Sequence, residues 1–158
     1  MARILNVTHS RQETETGCLA ACAQMILDYL GIRRSQDELA QHMHSIPHVG
    51  TVGRNILNLQ SSELHVVYTQ GTLEHLRAWL AQEVPVIALV QTAELPYWDK
   101  VEARHTVVVV GLDEENVYLL DPARDPGVIT VSRGDFALAW EEWMDGRCAV
   151  IDRVGPAR

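Results

Sequence analysis

The chain has too few cations to favour a polyanion as its partner. Its 13 Lys and Arg stand against 21 Asp and Glu, a formal net charge of −8. Phosphate recognition needs a basic face, and no basic stripe interleaved with aromatics occurs, so the composition argues against nucleic-acid binding. The excess of acid reads as a solvated surface. Long hydrophobic runs are missing too. The apolar stretches fall well short of the ~18 residues that suggest a membrane span. The N-terminus, from Met1 to Thr8, lacks the apolar stretch of a signal peptide. The expectation is a soluble, cytoplasmic protein without membrane insertion. Cysteine is equally scarce. Three cysteines do not make a disulfide framework, and their spacing is not that of a zinc clamp. A reducing compartment would keep them as free thiols. No internal repeat, low-complexity tract or interdomain linker interrupts the chain. What is present, 158 residues with 47% hydrophobic and 22% charged, suits one domain with a real core. That domain is expected over 1–153, with a short loose tail at 154–158.

Helical and strand patterns are segregated. A first helix is expected to open at Gly17-Cys18 with Thr16 as N-cap. Cys18, Cys22, Met25, Ile26 and Tyr29 recur at helical spacing, which predicts one buried face, and Gly31 fits the position just past the helix end. Ser35-Gln36-Asp37-Glu38 is a capping-box pattern that starts a second helix running to about Met43. A loop spans Pro47 to Gly53, and a short third helix spans Arg54 to Gln60. Thereafter come a strand at His65–Tyr68, a helix from Thr72 to Ala81, and a buried strand at 85–90. An irregular connection from Thr92 to Arg104 carries Pro96, Tyr97 and Trp98. Strands at 105–111, 116–121 and 127–132 read as an antiparallel meander. A closing helix, Gly134 to Trp143, precedes a last strand at Cys148–Ile151. Helices first and antiparallel strands after make an α+β fold, not a doubly wound one.

Four residues stand in an order that suits thiol chemistry. Cys18 opens a helix, where the dipole and unpaired N–H groups favour a thiolate. Gln12, six positions earlier, can fold back so that its amide and the Cys18 N–H form an oxyanion hole. His105 heads a run of four valines and can face a cleft as a base. Asp121, at the end of the next strand and before Pro122, can hold the second nitrogen of His105. Asp125-Pro126 repeats the dipeptide and reads as a turn, second in rank. Cys22 and Cys148 read as core residues. His42, His44 and His48 gather near a helix end, but His42 and His44 do not share a helical face, and a metal there would need ligands from elsewhere. His9, His65 and His75 have no helpful neighbours. Tyr97 and Trp98 are candidates for a cleft wall or for plain packing.

With these residues in place the sequence resembles the C39 family of papain-like cysteine peptidases. The family pattern of Gln, Cys six positions on, His-x-Val-Val-Val-x-Gly and Asp-Pro is matched by Gln12, Cys18, the stretch His105 to Gly111, and Asp121-Pro122. The opening Cys-Gly-x-Ala-Cys corresponds to Cys18-Leu19-Ala20-Ala21-Cys22, with Leu19 in place of the usual glycine, where it is expected to crowd the nucleophile or the near subsites. Phe136 to Trp140 before a final strand is similar to the family's ending. The resemblance covers about residues 10–152. It implies a papain-like fold with N-terminal helices packed on a C-terminal antiparallel sheet. It also implies a Cys18-His105-Asp121 triad with a Gln12 oxyanion hole, a peptide or acyl substrate, and no cofactor or metal. The alternatives are an acyltransferase using the same thioester chemistry and an inactive binding module. Many family members serve export transporters, but the chain shows no transporter part, so leader processing is not implied.

Overall fold

A computed structural model of the protein describes residues 3–155. Pro156 to Arg158, most of the expected tail, lie outside the described residues. Val154, inside them, donates its N–H to the Glu63 carbonyl at 2.7 Å.

The helices come first. α1 is Cys18–Tyr29 and α2 is Gln36–His42, followed by a 3₁₀ turn at Gly53–Leu59 where a short third helix was expected. α1 is buried beyond the single face its spacing predicts: Leu19 to Ala23 and Met25 to Leu27 are all inaccessible. It packs on the sheet on one side and on α2 on the other, which leaves little of its circumference for water. Gly31 stands just past its end with φ of +81°, as expected of a glycine that reverses the chain there. Ser35 caps α2 by accepting from the Glu38 N–H at 3.0 Å.

The sheet follows: β1 Leu64–Gln70, β2 Val86–Gln91, β3 Arg104–Leu112, β4 Asn116–Leu120, β5 Ile129–Ser132 and β6 Arg147–Arg153. α3, Leu73–Ala81, joins β1 to β2. It opens with a capping box between Thr72 and His75, a role for His75 that its sequence neighbours did not reveal. The strand order is β1-β6-β2-β3-β4-β5, and each pairing is antiparallel. The meander β3-β4-β5 is as expected. The last strand returns to the middle, between β1 and β2, where its Cys148-Ala149-Val150-Ile151 stretch is buried. The fold is α+β, with helices N-terminal and the antiparallel sheet C-terminal.

The closing helix forms where it is expected, with a π-helical stretch inside it. α4 opens as Arg133–Ala137, widens into a π-helical turn, Leu138–Glu142, and closes with helical backbone at 143–144. That turn seats Trp140 in the core, with its indole N–H donating to the Arg147 carbonyl at 2.9 Å. The chain then reverses at Gly146, φ +65°, where a side chain would overlap the Gly71 carbonyl oxygen. This tight corner carries Trp143, Met144 and Asp145 to one end of the sheet.

Candidate active site

Cys18 is the first residue of α1. The position before it, Gly17, is the N-cap, and no side chain caps the helix; Thr16 does not fill that role. The orphan N–H groups of the first turn are therefore open to an anion, and the positive end of the helix dipole meets the thiol. Gly17 fits because a Cβ there would lie 2.7 Å from Thr14 Oγ1. Cys18 is half-buried and opens onto a cleft of about 470 Å³, whose lining includes Leu19, Tyr68, Leu89, His105, Thr106 and Trp143.

His105 is the second residue of β3, whose remaining length is anchored by buried valines. Its Nε2 donates to Asp121 Oδ1 at 2.7 Å, and its ring packs against that of Trp98 with centroids 5.1 Å apart. Asp121 follows β4 and is fully buried. A buried carboxylate is stable only when its lone pairs are met, and these are. Oδ1 also accepts from the Ala123 N–H at 2.8 Å. Oδ2 accepts from the Tyr97 hydroxyl at 2.6 Å and from the Trp98 indole N–H at 3.0 Å.

The electrostatics follow from this packing. Burial favours the neutral thiol of Cys18, but the hydrogen bond and charge of His105, with hydrogen bonds from Thr106, outweigh it, and the thiol ends below its usual range. Burial likewise disfavours an imidazolium at His105, yet the hydrogen bonds to Asp121 and Cys18 and their charges lift it to about 9. For Asp121, burial acts to raise the value, but His105, Tyr97 and the Ala123 N–H bring it down to about 2. Opposite charges stabilise one another across the three groups. The arrangement can hold a thiolate beside an imidazolium at neutral pH.

Thr106 adds a contact the sequence did not announce. Its Oγ1 lies 3.4 Å from Cys22 Sγ. Burial pushes the Cys22 thiol well up, so it stays protonated and can donate to Thr106. Cys22 and Cys148 are both buried core residues, as expected.

Gln12 is placed differently from its expectation. Its backbone N–H donates to the Pro122 carbonyl at 2.9 Å, which brings the loop beside Asp121. Its side chain turns back into that loop: Nε2 donates to the Thr14 and Glu15 carbonyls, each at 3.0 Å. The loop folds over before α1 and offers those two carbonyls to the nearest donor. Both amide hydrogens are thereby engaged, and Gln12 is not among the residues lining the cleft. Its Oε1 is buried without a partner.

Three of the four sequence-selected residues thus come together. Tyr97 and Trp98 do not wall the cleft; they lie behind Asp121 as hydrogen-bond donors. His9, which had no helpful neighbour in sequence, donates from Nε2 to the Asp121 carbonyl at 2.7 Å. Asp125 is exposed and pairs with Arg11 at 3.1 Å, away from the site. Among the described residues, no group of three His, Cys, Asp or Glu gathers as metal ligands, and no helix is long and apolar enough to cross a membrane.

The family model described as the Peptidase_C39 like family matches residues 4–146. No curated protein sequence matches the chain. Solved structures share the fold. A Bacillus anthracis protein described as a C39-like peptidase is 20% identical, with 98% of each chain covered and a TM-score of 0.74. A double glycine motif protease from an AMS/PCAT transporter, solved in complex with the leader peptide, is 18% identical, with 96% of this chain and 94% of that one covered and a TM-score of 0.73. The peptidase domain of Streptococcus ComA, a bi-functional ABC transporter of a quorum-sensing pathway, is 15% identical, with 95% and 98% covered and a TM-score of 0.68. At these identities the likeness speaks for the fold.

Proposed function

The chain belongs to the C39-like peptidase family, and from that premise we propose that it is a cysteine peptidase in which Cys18, His105 and Asp121 act as a triad on a peptide substrate. The observation that carries this reading is the 2.7 Å bond between His105 and the fully buried Asp121, with the Cys18 thiol interacting with the same imidazole and both residues lining one cleft. His105 takes the thiol proton, and Asp121 stabilises the imidazolium. The thiolate adds to the scissile carbonyl, whose oxygen becomes an oxyanion. The open N–H groups at the start of α1, that of Cys18 first, stabilise it. His105 then gives its proton to the departing amine, leaving an acyl thioester on Cys18 and freeing the N-terminus of the downstream peptide. A water molecule, deprotonated by His105, attacks the thioester. The carboxyl product leaves and the thiol–imidazole pair is restored.

Gln12 enters this mechanism as the second oxyanion donor only by exchanging its bond to the Thr14 or the Glu15 carbonyl for the substrate oxygen. The peptide nature of the substrate is drawn from the family and from the neighbour bound to a leader peptide.

The test is incubation with a proteome-derived peptide library, with new termini identified by mass spectrometry for wild type and Cys18→Ser. Cleavages that vanish in Cys18→Ser support the reading. Products that carry an added amine in place of water move the assignment to acyl transfer. A Cys18 that is alkylated no faster than free cysteine at neutral pH overturns it.

A further inference from the structure

The carboxylate of Asp121 has two oxygens, and only one of them serves His105 directly. The other, Oδ2, is taken by two donors from a single short turn, Pro96–Trp98. We propose that Tyr97 and Trp98 are positioning residues of the active site, which hold Asp121 fixed toward His105, so that the connection between β2 and β3 belongs to the catalytic apparatus.

This inference rests on the triad reading and extends it. Without the turn, a buried carboxylate oxygen would have no partner, a cost of roughly 1–3 kcal/mol for an ordinary polar group and more for a charged one. Both donors are neutral. Burial and the adjacent carboxylate push the Tyr97 phenol far above its usual value, so it remains a donor at every working pH, and an indole N–H does not titrate. Neutral donors fix the orientation of Asp121 without cancelling its charge. A lysine or arginine at either place would compete with the imidazolium of His105 for that charge. Trp98 has a second contact, its ring packing against that of His105 in a T-shaped arrangement with centroids 5.1 Å apart. The Arg124 guanidinium covers the Trp98 ring at 4.1 Å.

The turn is itself fixed. Gln91 and Arg104 are paired at the ends of β2 and β3, so the connection closes on adjacent strands. Thr92 is fully buried, and its hydroxyl lies 2.6 Å from the Val101 carbonyl and 3.1 Å from that of Ala103. Asp99 and Lys100, with φ of 51° and 66°, make a left-handed reversal immediately after Trp98. Non-glycine residues adopt such angles at an energetic cost. The reversal follows the Pro96–Trp98 turn that carries both aromatic residues, and the backbone then returns to β3.

The experiment reads Cys18 alkylation by iodoacetamide at neutral pH, which needs no substrate. Tyr97→Phe and Trp98→Phe each keep a ring and delete one donor. They are measured in the wild-type and in the Asp121→Asn background, with thermal melting alongside. In the wild-type background each substitution is expected to slow alkylation roughly tenfold, the equivalent of one lost buried hydrogen bond. In the Asp121→Asn background it is expected to have no further effect, because the residue acts through the carboxylate. Equal slowing in both backgrounds assigns Tyr97 and Trp98 to the fold alone and overturns the proposal. So does alkylation at the wild-type rate in both variants, and so does failure of both to fold. If wild type itself alkylates no faster than free cysteine, the triad reading fails first, and that result is distinct from each of the others.

Discussion

His105 Nε2 is committed to Asp121 Oδ1 at 2.7 Å, which leaves Nδ1 as the nitrogen that meets Cys18. The imidazole is therefore held between a carboxylate and a thiol. Each partner raises its proton affinity, to about 9, and the thiol falls in return. The thiolate–imidazolium pair is expected to persist from below the ordinary thiol range up to about pH 9. Alkylation of Cys18 by iodoacetamide should already be fast well below pH 8. In His105→Ala the neutral thiol should return, slowing the reaction at pH 7 roughly ten- to a hundredfold. Peptide hydrolysis in wild type should decline as pH rises through about 9, where the imidazolium is lost.

The same pair predicts an acid limit to stability. The carboxyl of Asp121 sits at about 2 in the folded protein, below the value of 3.8 for an unperturbed aspartate. A depressed carboxyl contributes stability that is fully present above the unfolded value and is lost as pH falls through the folded one. The window is thus from near 3.8 down to about 2, and the contribution is of the order of 2 kcal/mol. His105 has the opposite sign: its value is raised, so its share is present below 6.5 and disappears as pH climbs through about 9. Asp121→Asn should lower the melting temperature at pH 7, and its deficit relative to wild type should shrink at pH 2. A deficit that is constant with pH would contradict this linkage.

The meeting of Cys18, His105 and Asp121 was legible because each residue carries a local signal: a cysteine opening an apolar-patterned helix, a histidine heading four valines, and an Asp-Pro closing a short strand. The antiparallel meander after His105 was legible for the same reason, since short turns force β3, β4 and β5 to be neighbours. The place of β6 was not. Insertion between β1 and β2 depends on a long-range pairing that no local pattern encodes. Nor were Tyr97 and Trp98 legible as donors. Their bonds to Asp121 span more than twenty residues, and the left-handed reversal at Asp99-Lys100 that follows them has no glycine to announce it. Gln12 shows the opposite limit. Its spacing from Cys18 was readable, but the direction of its amide was decided by two backbone carbonyls of the loop.

Gln12→Ala separates its two possible uses. As an oxyanion donor it should lower kcat by roughly 10²-fold or more while leaving KM and Cys18 alkylation nearly unchanged, since alkylation forms no oxyanion. As a loop staple alone it should lower the melting temperature, through the loss of two hydrogen bonds, with kcat intact. The expected result is the first, accompanied by some loss of stability. An unchanged kcat would remove Gln12 from the mechanism and leave the α1 N–H groups as the oxyanion site.

The cleft differs in charge from the rest of the chain. The protein has a net charge of −8, yet the charged residues lining the cleft other than His105 are Arg104, Arg147 and Asp145. Among the described residues neither arginine has a carboxylate within 4.0 Å. The two stand at the same end of the sheet, on strands that flank β2. Peptides with an acidic side chain close to the scissile bond should therefore be preferred over their amide counterparts. Arg147→Ala should raise KM for the acidic peptide several-fold and leave the amide peptide unaffected, with the difference fading at high salt. Equal KM changes for both peptides would refute a charge-based preference.

Leu19 stands where the family pattern has glycine, and the expectation from sequence was a crowded nucleophile. The side chain contributes to the cleft wall but is only 3% exposed. Most of it is packed in the core, so it supports the start of α1 more than it fills the cleft. Leu19→Gly should therefore behave as a core deletion. It removes a buried leucine, for a loss of about 2–5 kcal/mol, and adds about 1 kcal/mol for glycine in a helix. Melting temperature should fall sharply, and Cys18 should lose its enhanced reactivity as the first turn of α1 loosens. Leu19→Ala keeps the helix propensity, and its smaller deficit would isolate the packing part. If either variant instead melted like wild type and cleaved peptides faster, Leu19 would be a gate over Cys18, and the view of it as a support for the helix start would be wrong.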